Sequence, residues 1–376
     1  MQSTTNNAIV TKRLLIVVPI YASYRAFLKG LSAWLVDRDW EVHVATNLSG
    51  GKVESDVATL HDIAIPRGAN PLMLLQAGRS LTKLIQQIQP TVVHAHFSVG
   101  MLCLALANQV IGIRRLGTFQ GMRFPMTTGV TRYFFMLAEC FSILRLDKSW
   151  VLTADDYDAV PRFIQQKLAI QKGYGFGCDV EHFNHARFSD SDKAQLRSEL
   201  GIPSDHHVFI FIGRFTDFKG FPLAIKAFKK LREERNDVHF ILLGEPDPQH
   251  PTDTSDLNSL ESVSHVGWQD DPAPYFAISN TMLFPSKREG MPVCVMEALS
   301  MGMPVLAFST RGVNELAQLS TLVVLIPPSF VDLLAEMRNR ASGDMYELND
   351  HEGVTCLRNH LSRKEYYDFM LTEIRE

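Results

Sequence analysis

Residues 287–305 read KREGMPVCVMEALSMGMPV: loop, then helix, then strand. Pro292 suits the first helical turn, where a missing N–H costs nothing. Val293, Val295, Met296, Ala298 and Leu299 supply an apolar helix that Gly302 can close. Pro304 to Phe308 then resumes as a buried strand. Gly290 lets the backbone approach a ligand closely, and the helix start offers uncommitted N–H groups at Val293 and Cys294, an arrangement that binds phosphate. Glu289 and Glu297 frame it. A phosphate site has no use for carboxylates, so they read something else, such as hydroxyls. Phosphates between two sets of hydroxyls describe a nucleotide sugar.

Upstream, VFIFIG (208–213) reads as a buried strand and runs into GRFTDFKG (213–220). Arg214 and Lys219 then fall between the carboxyl end of a strand and the start of a helix, the edge at which open α/β sheets bind ligands. Two cations five residues apart, beside Gly213 and Gly220, can clamp a diphosphate. There is neither a G-x-x-x-x-G-K-[ST] loop nor a G-x-G-x-x-G fingerprint.

The set Glu289, Gly290, Pro292, Glu297 and Ala298 resembles the signature of the retaining GT-B glycosyltransferases of family 4. GRFTDFKG is similar to that family's phosphate clamp, and Gly175, Gly177, Asp179 and Phe183 to its Gly-x-Gly-x-Asp segment. The resemblance implies an α/β fold of two Rossmann-like domains whose parallel sheets face each other across a cleft. It makes Arg214, Lys219 and Glu289 catalytic, and Gly213, Gly290, Met291, Pro292, Val293 and Glu297 donor-binding. Glu297 would contact the ribose and Glu289 the sugar hydroxyls. The donor would be a nucleotide sugar, UDP-linked in most such enzymes, and a terminal helix would cross back onto the first domain.

The rest of the chain agrees with that class. RLLIVVPI (13–20), EVHVAT (41–46), TVVHAH (91–96), RLGTFQ (115–120) and a strand at 150–153 alternate with helical patterns at 24–38, 72–88, 99–110, 130–146 and 154–167. The predicted organisation is a flexible leader (1–12), an acceptor-binding domain (13–175), a linker (176–206), a nucleotide-sugar domain (207–356) and a C-terminal helix (357–376). Residues 1–175 carry a net charge of +7 and the remainder −11. The basic half suggests an anionic partner. No stretch is long and apolar enough to span a bilayer, but 130–146 can be read either as a buried helix or as one lying in a membrane interface. The five scattered cysteines suggest reduced thiols in a cytoplasm. The acidic pairs Asp37/Asp39 and Asp190/Asp192 do not follow strands, so no metal cofactor is expected; Arg214, Lys219 and the helix start take its place.

In the first domain His96 ends a strand. Where related enzymes commonly have His, this chain has Gln120, which can hydrogen-bond a hydroxyl but cannot act as a base. PIYASYRAF (19–27) replaces the glycine pair often found after the first strand and resembles the subgroup acting on polyprenyl-diphosphate-linked sugars in bacterial surface-polysaccharide assembly. Arg25 and Arg123 then become contacts to the acceptor's phosphate, with His96 and Gln120 beside them. The partners implied are the donor, a lipid-linked or free glycan acceptor and an anionic membrane surface, with no nucleic acid; the location is cytoplasmic, peripheral at the inner face of the cell membrane. Two further readings stay open: a GT-B sugar-nucleotide epimerase, distinguished by acceptor-independent chemistry, and an inactive binding subunit, distinguished by donor binding without turnover.

Overall fold

The computed structural model describes residues 12–375 other than 50–52, 54, 67, 69, 249 and 344–350. The expected leader, Lys12 apart, lies outside the described residues. The chain forms two compact units, residues 1–172 with 367–376, and residues 173–366.

The first unit is built on seven strands: β1 (Arg13–Ile20), β2 (Glu41–Asn47), β3 (Thr59–Asp62), β4 (Val92–His96), β5 (Arg114–Thr118), β6 (Lys148–Val151) and β7 (Leu168–Ile170). They pair in parallel in the order β3-β2-β1-β4-β5-β6-β7. Parallel pairing needs a crossover between strands. The helices Pro71–Ile88, Phe97–Leu106 and Gly129–Arg145 supply three of them and pack side by side over Leu15, Val17, Val93 and Ala95. The order turns back between β1 and β4, so the crevice opens outside their carboxyl ends. The last residues of the chain belong to this unit. Tyr367 and Phe369 lie 5.5 and 5.7 Å from the rings of Trp34 and Trp150, and Glu373 accepts from Lys148 at 2.7 Å.

The second unit has six parallel strands, β8 (His207–Ile212), β9 (Val238–Leu243), β10 (Val263–Gly267), β11 (Thr281–Phe284), β12 (Val305–Phe308) and β13 (Val323–Ile326), in the order β10-β9-β8-β11-β12-β13. Alternate residues go to opposite faces. Val208, Ile210, Met282 and Val305 join one core, and Phe209, Phe211, Leu283 and Leu306 join the other. Here the order turns back between β8 and β11.

Several expected boundaries shift. The 24–38 helix is two, Tyr21–Phe27 and Lys29–Val36, broken at Leu28. The 154–167 helix is also two, Ala154–Ala159 and Arg162–Gln165, because Pro161 disfavours helical backbone at Val160. The 176–206 stretch is part of the second unit, not a free linker. It holds the helix Asp190–Glu199, closed by a capping box between Ser189 and Asp192. The terminal helix expected from 357 is a pair, His351–Leu361 and Arg363–Arg375.

Candidate active site

In the second unit the loops leaving β8 and β11 meet at the switch point. Gly220 has φ of 73°, and a Cβ there would lie 2.0 Å from the carbonyl oxygen of Pro285. Only glycine lets the 213–220 turn rest on the segment after β11. The two turns are tied where Lys287 N–H donates to Phe218 O at 2.8 Å. Lys219 Nζ therefore reaches Glu289, seventy positions on, and donates to its Oε1 at 2.5 Å. Ser286 Oγ donates to the same oxygen at 2.6 Å. The carboxylate is largely shielded and held from two sides, which fixes its rotamer.

Arg214 is held differently. Its guanidinium, 56% exposed, pairs with Asp247, which is only 6% exposed, and lies 5.4 Å from the centre of the Phe218 ring. The backbone bond from Phe215 N–H to Glu245 O, 3.0 Å, brings the Asp247 loop alongside. A cation anchored at one edge and open at the other can receive an anion in a set orientation. Sequence reading missed Asp247 and Ser286: neither lies in a spacing that marks it, and both matter only because two remote loops converge.

Val293–Ser300 forms the helix expected after Gly290, but Pro292 is its cap (φ −79°, ψ 112°), not its first residue. No side chain caps this end, so the first-turn N–H groups remain available to an anion. Gly312, the second residue of the helix Arg311–Leu319, abuts the Gly290 carbonyl. Among the described residues no three His, Cys, Asp or Glu converge into a metal cage.

Glu297 stands one turn into the Val293–Ser300 helix, partly buried. Burial pushes its carboxyl up to about 7; Arg363 opposes the shift and Asp271 adds to it. Folded chain therefore binds this proton up to a higher pH than unfolded chain. Stability falls as pH rises through that window, by roughly 3 kcal/mol once the group is ionised. Glu297→Gln removes the penalty, so the variant should gain melting temperature on the parent between about pH 5 and pH 8. A constant difference across that range contradicts the assignment.

In the first unit the sequence-predicted acceptor residues gather at the carboxyl ends of β1, β4 and β5. His96 is fully buried, and burial beside His94 holds its imidazole well below the usual range, neutral. Its Nδ1 hydrogen-bonds Gln120 Nε2 at 3.0 Å, while Gln120 Oε1 accepts from Phe97 N–H at 2.7 Å. Phe97 has φ of 64°, strained for a side chain of that size. His96 and half-buried Gln120, expected as acceptor contacts, thus hold the turn into the Phe97–Leu106 helix. Arg123 remains exposed, its guanidinium 5.5 Å from the centre of the Phe135 ring, and Arg25 lies part-buried on the helix after β1.

What aims Arg123 is Glu139, which sequence reading passed over as one acid in an apolar helix. Its buried carboxylate accepts from Arg123 N–H (2.9 Å), Phe124 N–H (3.1 Å) and Ser98 Oγ (2.6 Å). Burial pushes its pKa up, and those donors oppose the shift. Asp156 accepts from Met122 N–H in the same turn, at 3.3 Å.

Two family models match the chain: "Glycosyltransferase Family 4" over residues 26–154 and "Glycosyl transferases group 1" over residues 206–341. The chain is 24% identical to a Bacillus subtilis (strain 168) protein named as the glycosyltransferase EpsD, over 82% of this chain and 81% of that one. It is 24% identical to the UDP-Gal:alpha-D-GlcNAc-diphosphoundecaprenol alpha-1,3-galactosyltransferase of Escherichia coli, over 64% and 63% of the two chains. Among solved structures, Anabaena Alr3699/HepE in complex with UDP and glucose superposes with a TM-score of 0.75 at 15% identity, over 97% of this chain and 100% of that one. Two parallel-sheet units of this kind make the GT-B fold, as expected. With one model on each unit and the clamp, the Gly290 turn and Glu297 inside the second match, the chain belongs to the family 4 and group 1 glycosyltransferases.

Proposed function

We propose that this glycosyltransferase moves a sugar, with its configuration retained, from a UDP-linked donor to a glycan borne on a lipid carrier. The setting is surface-polysaccharide synthesis, with the protein peripheral at the inner face of the cell membrane. The observation that carries the reading is the convergence of Lys219, Glu289 and Ser286 beside Arg214 and an uncapped helix start. The printed substrates of the Escherichia coli relative, a UDP-sugar and a diphosphoundecaprenol-linked glycan, and the UDP in the Anabaena complex support the donor and acceptor classes. The basic excess of residues 1–175 supports an anionic surface as partner.

In this reading Arg214, Lys219 and the N–H groups from Val293 onward receive the diphosphate, the role that a divalent metal plays in other phosphate chemistry. Gly213, Gly290, Met291 and Pro292 shape the backbone against the donor. Glu297 holds the ribose and Glu289 the sugar hydroxyls, while Arg25 and Arg123 take the acceptor's phosphate. No metal cofactor takes part.

Retention follows from substitution on one face. The bond from the anomeric carbon to the diphosphate oxygen breaks, the acceptor oxygen bonds to that carbon from the same side, and the acceptor's proton passes to the departing diphosphate. A double displacement would need a carboxylate nucleophile. Glu289 is engaged with Lys219 and Ser286, and Glu297 is assigned to the ribose. Glu289→Gln should lower turnover through loss of sugar positioning, with no covalent sugar on the parent enzyme. Intact-protein mass spectrometry with donor and a slow acceptor checks this. A stable added sugar mass mapped to Glu289 makes that residue the nucleophile and ends the one-face proposal.

A further inference from the structure

The Gly129–Arg145 helix is apolar on its outer side as well as its inner one. Its inward face places Cys140 and Ile143 in the core beside buried Glu139 and Ser142, while Val130, Tyr133, Phe134, Leu137, Phe141 and Leu144 stand exposed, from 40% for Phe141 to 85% for Val130. Those six positions fall within an arc of about 100° at 3.6 residues per turn, so they form one stripe along the whole helix. Contiguous apolar surface of this kind marks an interaction site.

We propose that this stripe is a membrane-docking surface, lying in the headgroup region of an anionic bilayer with the helix axis in the membrane plane. Charge selects the occupant. The helix bears exposed Arg132 in its first turn and no acid other than the buried Glu139, while Arg145 in its last turn is part-buried and donates to Ala105 O. Arg123 stands exposed at the turn beneath its first residues, and the adjoining helix Arg162–Gln165 adds exposed Arg162 and Phe163. An apolar face with exposed Arg132 at one end of the helix, and exposed Arg123 and Arg162 beside it, fits a bilayer with anionic headgroups. A second copy fits poorly, since two-fold pairing of this face sets arginine against arginine. No described helix is long and apolar enough to cross a membrane, which leaves the in-plane arrangement. Docking would hold Arg123 at headgroup depth, where the phosphates of a lipid-borne acceptor lie. That purpose rests on the function proposed above, whereas the docking itself does not.

The test is co-sedimentation of the full chain with vesicles of phosphatidylcholine, with and without phosphatidylglycerol. The parent should bind the mixed vesicles. Leu137→Ser combined with Phe141→Ser should lower partitioning by about tenfold or more, since two exposed side chains lose their burial. Val331→Ser, at a residue 71% exposed in the second unit, should change nothing. Failure of the parent to bind overturns the proposal, as does binding that salt abolishes but the double variant does not. Concentration-dependent self-association lost in the double variant, without vesicle binding, assigns the face to a second copy and overturns it too. Transfer to a water-soluble glycan, followed separately, should be equal in parent and double variant, so loss of docking and loss of catalysis are read apart.

Discussion

Lys219→Ala should lower turnover by about 10²–10³ with the fold retained, the usual loss when one preorganised donor to developing charge is removed. The lysine reaches the site because Gly220 seats its turn against Pro285, and Glu289, itself held by Ser286, accepts from its ammonium. Charge on the departing diphosphate grows toward the transition state, so the loss should fall on kcat more than on KM. Arg214→Ala should cut turnover to a similar degree and also lower the melting temperature, because it removes the ion pair to the shielded Asp247. The pair of variants therefore separates the two cations: one is tied to Glu289, the other to Asp247. Steady-state kinetics with donor varied, alongside thermal melts, checks both. Near-normal kcat in the two variants would remove the clamp from the mechanism.

The place of the 213–220 turn was legible because its residues are local. Arg214 and Lys219 follow a strand and precede a helix, and strand–helix alternation alone places that turn at the carboxyl edge of a parallel sheet. The strands were legible for the same reason: buried runs such as 208–211 belong in a sheet covered on both faces. What sequence did not reveal depends on pairing across long separations. Asp247 lies in a polar loop whose composition says only that it is exposed, yet the bond from Phe215 N–H to Glu245 O buries it under Arg214. Glu139 lies in a helix read as apolar, and its role exists only because the turn at 122–124 presents unpaired N–H groups to it. His96 was read as a contact because it ends a strand, but the amide of Gln120 and the packing of His94, 4.0 Å away between ring centres, enclose it. The stripe on Gly129–Arg145 shows the reverse limit: periodicity gave an apolar helix, and only solvent exposure says which side of it faces the core.

Gly312→Ala should cost about 10²-fold in kcat/KM for the donor although residue 312 is assigned no contact with substrate. A Cβ at that position would lie 1.7 Å from the Gly290 carbonyl oxygen and 2.8 Å from Met291 Cα, where real Cβ atoms come no nearer than 3.0 Å. Both neighbours are backbone, so no side chain can swing aside. The Gly290 turn and the Arg311–Leu319 helix must part by more than about 1 Å, and misplacement on that scale is enough to cost two orders of magnitude in rate. The displaced segment carries Glu289 on one side and the uncapped helix start on the other, so sugar positioning and diphosphate binding should weaken together. Gly201→Ala is the control. Its φ of 66° makes the substitution strained, but nothing lies within 4 Å of the added methyl, so it should lower the melting temperature and leave donor kinetics unchanged. Donor affinity by calorimetry, with turnover on the same preparations, distinguishes the two. If Gly312→Ala binds donor and turns over like the parent, the Gly290 turn is not part of the donor site, and the carboxylate held by Lys219 must serve some other end.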